Sequence, residues 1–325
     1  MSFEIPKSDK SVEAENNLAA LAYEDEKQKK LLEDPEEIKY DSETTRNYFK
    51  DWEGLVLNGN IGMKEKIRKN ILQVEQERAD DYRYFANEQK ITIEELKKDL
   101  QKRVEKMVES SGFFRATNMS VISSIMINDG RWKSQFETGR SDGYLNPQRR
   151  SSVENKMFDF PDDKDAENTN KRPIYGYFSD SDNGIINEHG NNPPPNAIKY
   201  CGTVNFKFKK NKIIERTTIT FQDSLNHPNW MPSPASKPHF TSLMVTSGQT
   251  INIHNISSTS KCDWNSYANH YTEVQYHDGL TMEDVESIHI STKNGMSEED
   301  MQKVRDLHKK YMELHPESEI KLIEY

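Results

Sequence analysis

The feature that most constrains the fold is a series of short segments that alternate apolar and polar residues in the C-terminal two thirds of the chain. The alternation is clearest at 203–209, 216–221 and 271–277, and residues 174–178 and 320–325 also have a strand-forming composition. Alternation with period two is typical of β-strands. Because long helices do not separate these segments regularly, we expect an α+β fold of short strands rather than a doubly wound parallel sheet.

Upstream of these segments the chain has helical periodicity instead. The sequence Thr92 to Glu95 is that of a capping box, which predicts the start of a helix near Ile91. Apolar residues then recur at intervals of three and four, at Ile93, Leu96, Leu100, Val104, Met107 and Val108. We expect this stripe to be a packing face.

We divide the chain into two parts on this basis. Residues 1–110 are predicted to form a helical N-terminal region, in which 1–20 are partly disordered because they contain too few apolar residues to offset the entropy of ordering. Residues 111–325 are predicted to form one α+β domain. Two roles stay open for the helical region, namely support of the second domain and recognition of a partner.

Composition and charge exclude several classes of protein. The chain has 44 Lys and Arg against 54 Asp and Glu, a net charge of -10, which does not suit a nucleic-acid partner. No apolar run approaches the roughly 18 residues of a membrane span, and the first residues have no apolar segment of a signal peptide. We expect a cytoplasmic protein, or one delivered into a host cell without a cleavable signal, with Cys201 and Cys262 as reduced thiols.

Several familiar site motifs are absent from the sequence. It contains no G-x-G-x-x-G after a strand and no G-x-x-x-x-G-K-[ST], the phosphate-binding turns of Rossmann and P-loop proteins. It also contains no G-x-S-x-G and no H-E-x-x-H, and its histidines and cysteines lack the spacing of a zinc site. We therefore expect no metal site.

Two of the predicted strands place polar side chains on one face. In Y-T-E-V-Q-Y-H, at 271–277, one face carries Tyr271, Glu273, Gln275 and His277. In the strand at 216–221, Thr218 and Thr220 also share a face. Such a row of polar groups is found on a half-exposed strand and also along a binding site, and both interpretations stay open.

A third polar segment is R-W-K-S-Q-F-E at 131–137. Read as a strand, it places Arg131, Lys133, Gln135 and Glu137 on one face. The residues that follow, from Thr138 and Gly139 to Gly143, are predicted to form a polar glycine-containing turn, whose backbone amides would be able to approach an anion. The alternative is an amphipathic strand without a site.

Five blocks of sequence, in one order, resemble a bacterial family known as a domain of unknown function. The blocks are S-Q-F-E-T-G at 134–139, R-P-I-Y-G at 172–176, Y-C-G-T-V-N-F-K-F-K at 200–209, R-T-T-I-T-F-Q-D-S at 216–224 and Y-T-E-V-Q-Y-H-D-G-L at 271–280. The order of the blocks makes the resemblance more specific than any single block does. The helical N-terminal region lies outside it.

That family is similar in turn to the CteC-type effectors, which ADP-ribosylate ubiquitin on a threonine. This similarity implies an ADP-ribosyltransferase-like core of two facing sheets, antiparallel or mixed, with a cleft between them. It implies NAD as a substrate, a protein as acceptor, with ubiquitin as the first candidate, and no metal. The chain would then be a bacterial mono-ADP-ribosyltransferase that acts as an effector or toxin.

The resemblance also implies roles for individual residues. Glu273 would stabilise the oxocarbenium-like transition state, and Gln275 would orient the nucleophile. The residues implied to bind NAD are Arg131, Lys133, Gln135, Thr138, Gly139, Tyr175 and Thr218. Because Lys133 stands where the family commonly has arginine, which alone forms a bidentate fork, either Lys133 or Arg131 is expected to hold the pyrophosphate.

Two alternatives to protein ADP-ribosylation stay open at this point. The first is an NAD glycohydrolase, in which water is the acceptor. The second is a non-catalytic protein-interaction module that uses the same fold, with the N-terminal helices as its binding surface. Both enzymes need the carboxylate of Glu273, whereas a binding module does not.

Overall fold

A computed structural model describes most of the chain from residue 42 onward. The described residues are 42–50, 52, 54–55, 57, 62–139, 147–160, 169–179, 202–221, 224, 232–243, 272–292 and 295–325. Cys201, Cys262, Tyr271, the residues of the predicted turn at 140–143 and residues 1–20, for which partial disorder is predicted, lie outside the described residues.

Nine α-helices lie in this described part of the chain. They are α1 (Glu43–Lys50), α2 (Met63–Glu77), α3 (Ala79–Gln89), α4 (Ile93–Ser110), α5 (Met119–Ser123), α6 (Gln135–Thr138), α7 (Pro147–Phe158), α8 (Lys210–Ile213) and α9 (Glu298–Leu314). A π-helical segment, Ser124–Asp129, continues α5, and short 3-10 segments occur at Ile214–Arg216, Phe240–Leu243 and Met282–Asp284. No helix of the described residues has both the length and the apolar character that a membrane crossing requires.

The strands that the structure describes form one mixed sheet. They are β1 (Gly112–Thr117), β2 (Ile174–Ser179), β3 (Val204–Phe208), β4 (Thr217–Phe221), β5 (Ser233–Pro234), β6 (Thr272–Tyr276), β7 (Val285–Ile290) and β8 (Lys321–Glu324). Their order is β5-β4-β6-β2-β1-β3-β7-β8, and β7 and β8 pair in parallel while the other neighbours are antiparallel. The predicted strands at 174–178, 203–209, 216–221, 271–277 and 320–325 are confirmed, but the expected two facing sheets are not.

The predicted strand at 131–136 is wrong. Arg131 forms only an isolated bridge to Thr281, and Gln135–Thr138 is a helical turn. The cause is local, because the Ser134 hydroxyl accepts a hydrogen bond from the Glu137 amide at 3.2 Å while the Glu137 carboxylate accepts one from the Ser134 amide at 2.8 Å. This capping box starts a helix and overrides the alternation of the segment.

Helix α4 shares one hydrophobic core with the sheet. The predicted capping box at Thr92 and Glu95 is confirmed, and the predicted stripe packs inward. Leu96, Leu100 and Val104 are fully buried and belong to the same apolar cluster as sheet residues such as Phe206 and Ile288. The division at residue 110 therefore falls within a continuous core, which supports the first role considered for the helices, support of the sheet.

A second apolar cluster joins the N-terminal helices to α7. Trp52, which follows α1, and Ile67 from α2 lie in one cluster with Val153 and Met157 from α7 and the adjoining Phe160. All five side chains are buried. Helix α7 is thus held between the N-terminal helices and the sheet, and this position matters because α7 carries several of the site residues described below.

We expect Gly176→Ala to destabilise the protein by about 1–3 kcal/mol, as overpacking of a core does. Gly176 lies in β2, where an added Cβ would lie 2.2 Å from the Phe114 carbonyl oxygen and 2.6 Å from Cε2 of Tyr276. The free energy of unfolding in urea measures the effect. Gly130→Ala is the comparison variant, since an added Cβ there meets no atom within 4 Å and its cost, about 1–2 kcal/mol, comes from the positive φ of 67° alone. A Gly176→Ala variant that is as stable as the wild type would contradict this packing.

Candidate active site

Strand β6 lies between β4 and β2 and presents Glu273 and Gln275 on one face. Val274 and Tyr276 point to the opposite face and belong to the main core. The division between the two faces is therefore the predicted one. The interpretation of this segment as a half-exposed strand is wrong, because Glu273 is only 2% exposed and Gln275 is fully buried. Glu273 is ionisable and Gln275 carries an amide, so both side chains require specific hydrogen-bond partners on a buried sheet face.

Gln275 is fixed through both ends of its amide. Its Nε2 donates to Thr220 Oγ1 and to Glu273 Oε1, each at 2.8 Å. Its Oε1 accepts a hydrogen bond from Thr218 Oγ1 at 2.9 Å. The strand register explains this arrangement, because Thr218 faces Gln275 and Thr220 faces Glu273 across the β4–β6 pair. Both amide hydrogens are engaged within the protein, so this geometry suits holding Glu273 better than orienting a nucleophile.

Ser224 and Arg150 approach Glu273 from the other side. The Ser224 hydroxyl donates to Glu273 Oε1, and Arg150 Nη1 donates to the same hydroxyl at 3.2 Å. Both residues are buried, and the Arg150 guanidinium carbon lies 3.9 Å from the centre of the Tyr175 ring. A cation stacked on an aromatic ring out of water is held by the charge distribution of that ring.

A buried ion pair between Arg172 and Glu154 continues this cluster. Arg172 Nη1 donates to Glu154 Oε2 at 2.9 Å, and the Tyr175 hydroxyl donates to Glu154 Oε1 at 2.8 Å. Burial raises the pKa of Glu154, against the opposing effect of the nearby charges of Arg150 and Arg172. Burial also raises the pKa of Tyr175 well above its ordinary value, which keeps the phenol neutral as a donor.

The turn α6 joins this cluster through Phe136. The Arg172 guanidinium lies 4.4 Å from the centre of the Phe136 ring and 5.3 Å from the centre of the Phe160 ring. Next to Phe136, both the nitrogen and the oxygen of the Gln135 amide are buried and have no hydrogen-bond partner among the described residues. Such an amide is suited to a ligand that supplies one acceptor and one donor.

The structure thus brings four of the five sequence blocks into one set of contacts. The blocks contribute Phe136, Arg172 with Tyr175, Ser224 with the β4 threonines, and Glu273 with Gln275. The connection between them runs through helix α7, which belongs to no block and supplies Arg150 and Glu154. A polar cluster of this size on a buried sheet face is the strongest candidate for an active site in the described part of the chain.

Four of the predicted NAD-binding residues lie outside this cluster. Arg131 pairs with Glu137 at 2.8 Å, and Lys133 pairs with Asp129 at 2.9 Å, with 42% and 38% of their side chains exposed. The shared strand face on which their grouping rested does not exist. Thr138 and Gly139 are exposed at the end of α6, where Gly139 adopts the left-handed backbone that ends the turn.

His277 ends the polar row, just after β6. Its Nε2 lies 3.0 Å from Thr218 Oγ1, and because Thr218 donates its only hydroxyl hydrogen to Gln275, this contact requires a proton on Nε2. Nδ1 is buried and has no hydrogen-bond partner among the described residues, and the Phe158 ring packs edge-on at 4.8 Å. Burial lowers the pKa of His277 to about 3, so the ring is neutral at pH 7.

We expect the protein to lose stability as the pH falls below about 6.5, in part through His277. As the pH falls, a histidine whose pKa is depressed in the folded state binds its proton first in the unfolded state, and this stabilises the unfolded state. Its contribution to the free energy of unfolding is therefore complete above pH 6.5 and decreases toward pH 3. Free energies of unfolding between pH 7 and pH 5 measure this slope. His277→Gln removes the titration and should reduce the slope by up to about 1.4 kcal/mol per pH unit.

The control for this experiment is His315→Gln, since the His315 side chain is 46% exposed. This variant removes one exposed imidazole and none of the buried ones, so its slope is the reference for that of His277→Gln. His239 and His289 also have lowered pKa values because they are buried, so part of the slope is expected to remain in His277→Gln. An unchanged slope in His277→Gln would contradict the buried neutral ring.

Arg150, Glu154 and Arg172 belong to the site but were not predicted as members from the sequence. Arg150 and Glu154 are four residues apart, so they lie on one face of α7, and Arg172 stood in the R-P-I-Y-G block. This spacing was the available signal, but it is also common on solvated helices. No group of His, Cys, Asp and Glu within the described ranges is arranged to hold a metal ion.

Comparison with known families agrees with part of the sequence resemblance. A family described as a protein of unknown function (DUF3626) matches residues 114–233. These residues contain the blocks at 134–139, 172–176 and 200–209 and the block with the β4 threonines, while Glu273 and Gln275 follow after the matched residues. Among curated proteins no match is found. A domain of a family of unknown function is thus present.

Proposed function

We propose, for a chain that carries a DUF3626 domain over residues 114–233, that it transfers ADP-ribose from NAD to a protein side chain. One observation carries the proposal. The carboxylate of Glu273 is buried on a sheet face and is held by Ser224 and Gln275. A carboxylate fixed in this way is suited to stabilise positive charge that develops during a reaction.

The proposed reaction breaks the bond between nicotinamide and the ribose C1′ of NAD. The nicotinamide leaves with the bonding electron pair as a neutral molecule, and positive charge develops on the ribose, as in the oxocarbenium-like transition state of glycoside hydrolysis. Glu273 stabilises this charge electrostatically. The acceptor hydroxyl then forms a bond to C1′ and releases its proton to solvent.

The polar groups of the site fit parts of this substrate. The amide of Gln135, which has no hydrogen-bond partner among the described residues, offers a donor and an acceptor, which is the complement of a nicotinamide carboxamide. The charges of the buried cluster already balance, with Arg150 and Arg172 against Glu154 and Glu273. We therefore assign the pyrophosphate to a cation outside the buried cluster, and Arg131 and Lys133 stay the candidates because both are partly exposed.

Two other predicted residues have roles inside the protein in this proposal. Thr218 acts on Gln275, since its hydroxyl donates to the amide oxygen, and Tyr175 forms a wall by stacking on Arg150 and donating to Glu154. Neither needs to contact NAD for the reaction. Thr138 and Gly139 keep their proposed place beside the dinucleotide at the end of α6.

The proposed acceptor is a protein side chain, with a threonine of ubiquitin as the first candidate from the similarity to CteC-type effectors. Mass spectrometry of ubiquitin and of a cell lysate, each incubated with NAD and the full chain, tests this step. We expect an ADP-ribose adduct on a specific residue. Release of free ADP-ribose without any protein adduct would replace the proposal by a glycohydrolase, and no cleavage of NAD would favour a non-catalytic interaction module.

A further inference from the structure

We infer that Ser224 and Arg150 are positioning residues that orient Glu273 and keep it in its charged form. The inference rests on the proposed function only for its effect on catalysis. The hydrogen-bond arrangement from which it follows belongs to the fold, and it can be tested without any enzymatic activity.

The direction of the hydrogen bond between Ser224 and Glu273 is fixed by Arg150. A guanidinium group only donates hydrogen bonds, so the contact of 3.2 Å from Arg150 Nη1 makes the Ser224 oxygen an acceptor. The one hydroxyl hydrogen is then directed at Glu273 Oε1. A hydrogen bond donated to a carboxylate stabilises its charged form.

Arg150 is in turn held where this arrangement needs it. Its guanidinium stacks on Tyr175 at 3.9 Å, and only 3% of the residue is exposed. Helix α7 carries Arg150 and is anchored by Val153 and Met157 in the second apolar cluster. A positive charge one hydrogen bond beyond the carboxylate acts strongly in a site that excludes water.

Other charged and titratable groups lie on the chain segments around Glu273. Those on the elements packed around it are His277 after β6, Tyr175 and Tyr177 on β2, Arg150 and Glu154 on α7, and Arg172 before β2. A substitution of Ser224 leaves all of these groups in the chain, but it removes the hydrogen bond that Arg150 donates to the serine oxygen. A change in the titration of Glu273 in such a variant therefore reports on the serine hydroxyl together with the Arg150 contact that it accepts.

The test compares Ser224→Ala with the wild type and with Ser224→Thr, which retains a hydroxyl. The first readout is the titration midpoint of the Glu273 carboxyl carbon by NMR, assigned with Glu273→Gln. We expect the midpoint to rise by about one pH unit in Ser224→Ala and to return toward the wild-type value in Ser224→Thr. The second readout is NAD cleavage, in which kcat should fall about tenfold at an unchanged KM and the acidic limb of the pH profile should move upward with the midpoint.

Ser287→Ala is the matched control. Ser287 is a buried serine on the same sheet and contacts His289 at 2.7 Å rather than Glu273. It should leave both readouts as in the wild type. If Ser224→Ala does not fold, Ser224→Cys replaces it, because a thiol of similar size is a weaker donor and should shift the midpoint in the same direction by less.

The outcomes separate this inference from the proposed function. A Glu273 midpoint that is the same in Ser224→Ala and in the wild type overturns the positioning role, whether or not the protein cleaves NAD. A shifted midpoint in a protein that does not cleave NAD supports the hydrogen-bond arrangement and rejects the proposed function. A shifted midpoint together with the lower kcat supports both.

Discussion

Replacing Glu273 by glutamine is expected to slow the release of nicotinamide from NAD by about 10²–10³-fold, as the loss of one transition-state-specific electrostatic contact does. The variant keeps the shape of the side chain and an oxygen that can accept the hydrogen bonds of Ser224 and Gln275. It removes the negative charge and replaces the second carboxylate oxygen by an amide NH2 group. The decrease should therefore appear in kcat, with the KM for NAD changed much less.

Glu286→Gln is the matched control for this variant. Glu286 is a carboxylate on strand β7 of the same sheet, but 44% of its side chain is exposed and it pairs with Lys207. It should cleave NAD at the wild-type rate. Thermal unfolding of both variants shows whether they are folded, and a folded Glu273→Gln variant with activity within about twofold of wild type is incompatible with the contribution expected from that charge.

A fragment that begins at Ser111 is expected to be insoluble or to lack cooperative unfolding. Removing α4 withdraws Leu96, Leu100 and Val104 from the core of the sheet and leaves the surface that they cover exposed to water. Burial of each of these side chains contributes about 1.5–3 kcal/mol to the free energy of unfolding. The sum of the three contributions approaches the whole free energy of unfolding of a typical domain. The soluble yield, the unfolding curve and the binding of a hydrophobic dye measure this loss.

A fragment that begins at Leu21 is the control for this experiment. It removes only the residues whose composition predicts partial disorder, so its unfolding curve should match that of the full chain. A fragment from Ser111 that is soluble, unfolds cooperatively and keeps its activity would show that the helical region is a separate unit, and recognition of a partner would then be its remaining role.

Much of the sheet could be predicted from the sequence because its signals are local. The alternation at 271–277 places Glu273 and Gln275 on one face, and this is the face that the structure shows. The capping box at Thr92 and Glu95 gives the start of α4 for the same reason, since a cap depends on residues three positions apart. Both predictions needed no knowledge of distant contacts.

The errors arise where two local signals compete. Residues 131–136 alternate as a strand does, yet they also contain the S-x-x-E sequence of a capping box. The two hydrogen bonds between Ser134 and Glu137 decide the outcome, and Arg131 and Lys133 consequently lose their shared face. Counting capping signals before counting alternation would have avoided this error.

The members of the site that were missed depend on contacts between distant residues. Arg172 meets Glu154 across 18 residues of sequence, and Arg150 meets Ser224 across 74. Neither pair has a sequence pattern, because a buried ion pair or hydrogen bond needs only that the fold brings its two members together. The error in the predicted number of sheets has the same cause, since the strand order is set by pairing between residues that are distant in the sequence.

The central claim, that the chain cleaves NAD through Glu273, is tested most directly by measuring nicotinamide over time. The full chain and the Glu273→Gln variant are each incubated with NAD, in parallel with and without ubiquitin and a cell lysate as sources of acceptor. We predict that the wild type releases nicotinamide and that the variant does so about 10²–10³-fold more slowly. The claim is contradicted if the folded wild type releases no nicotinamide under any of these conditions, or if both proteins release it at the same rate.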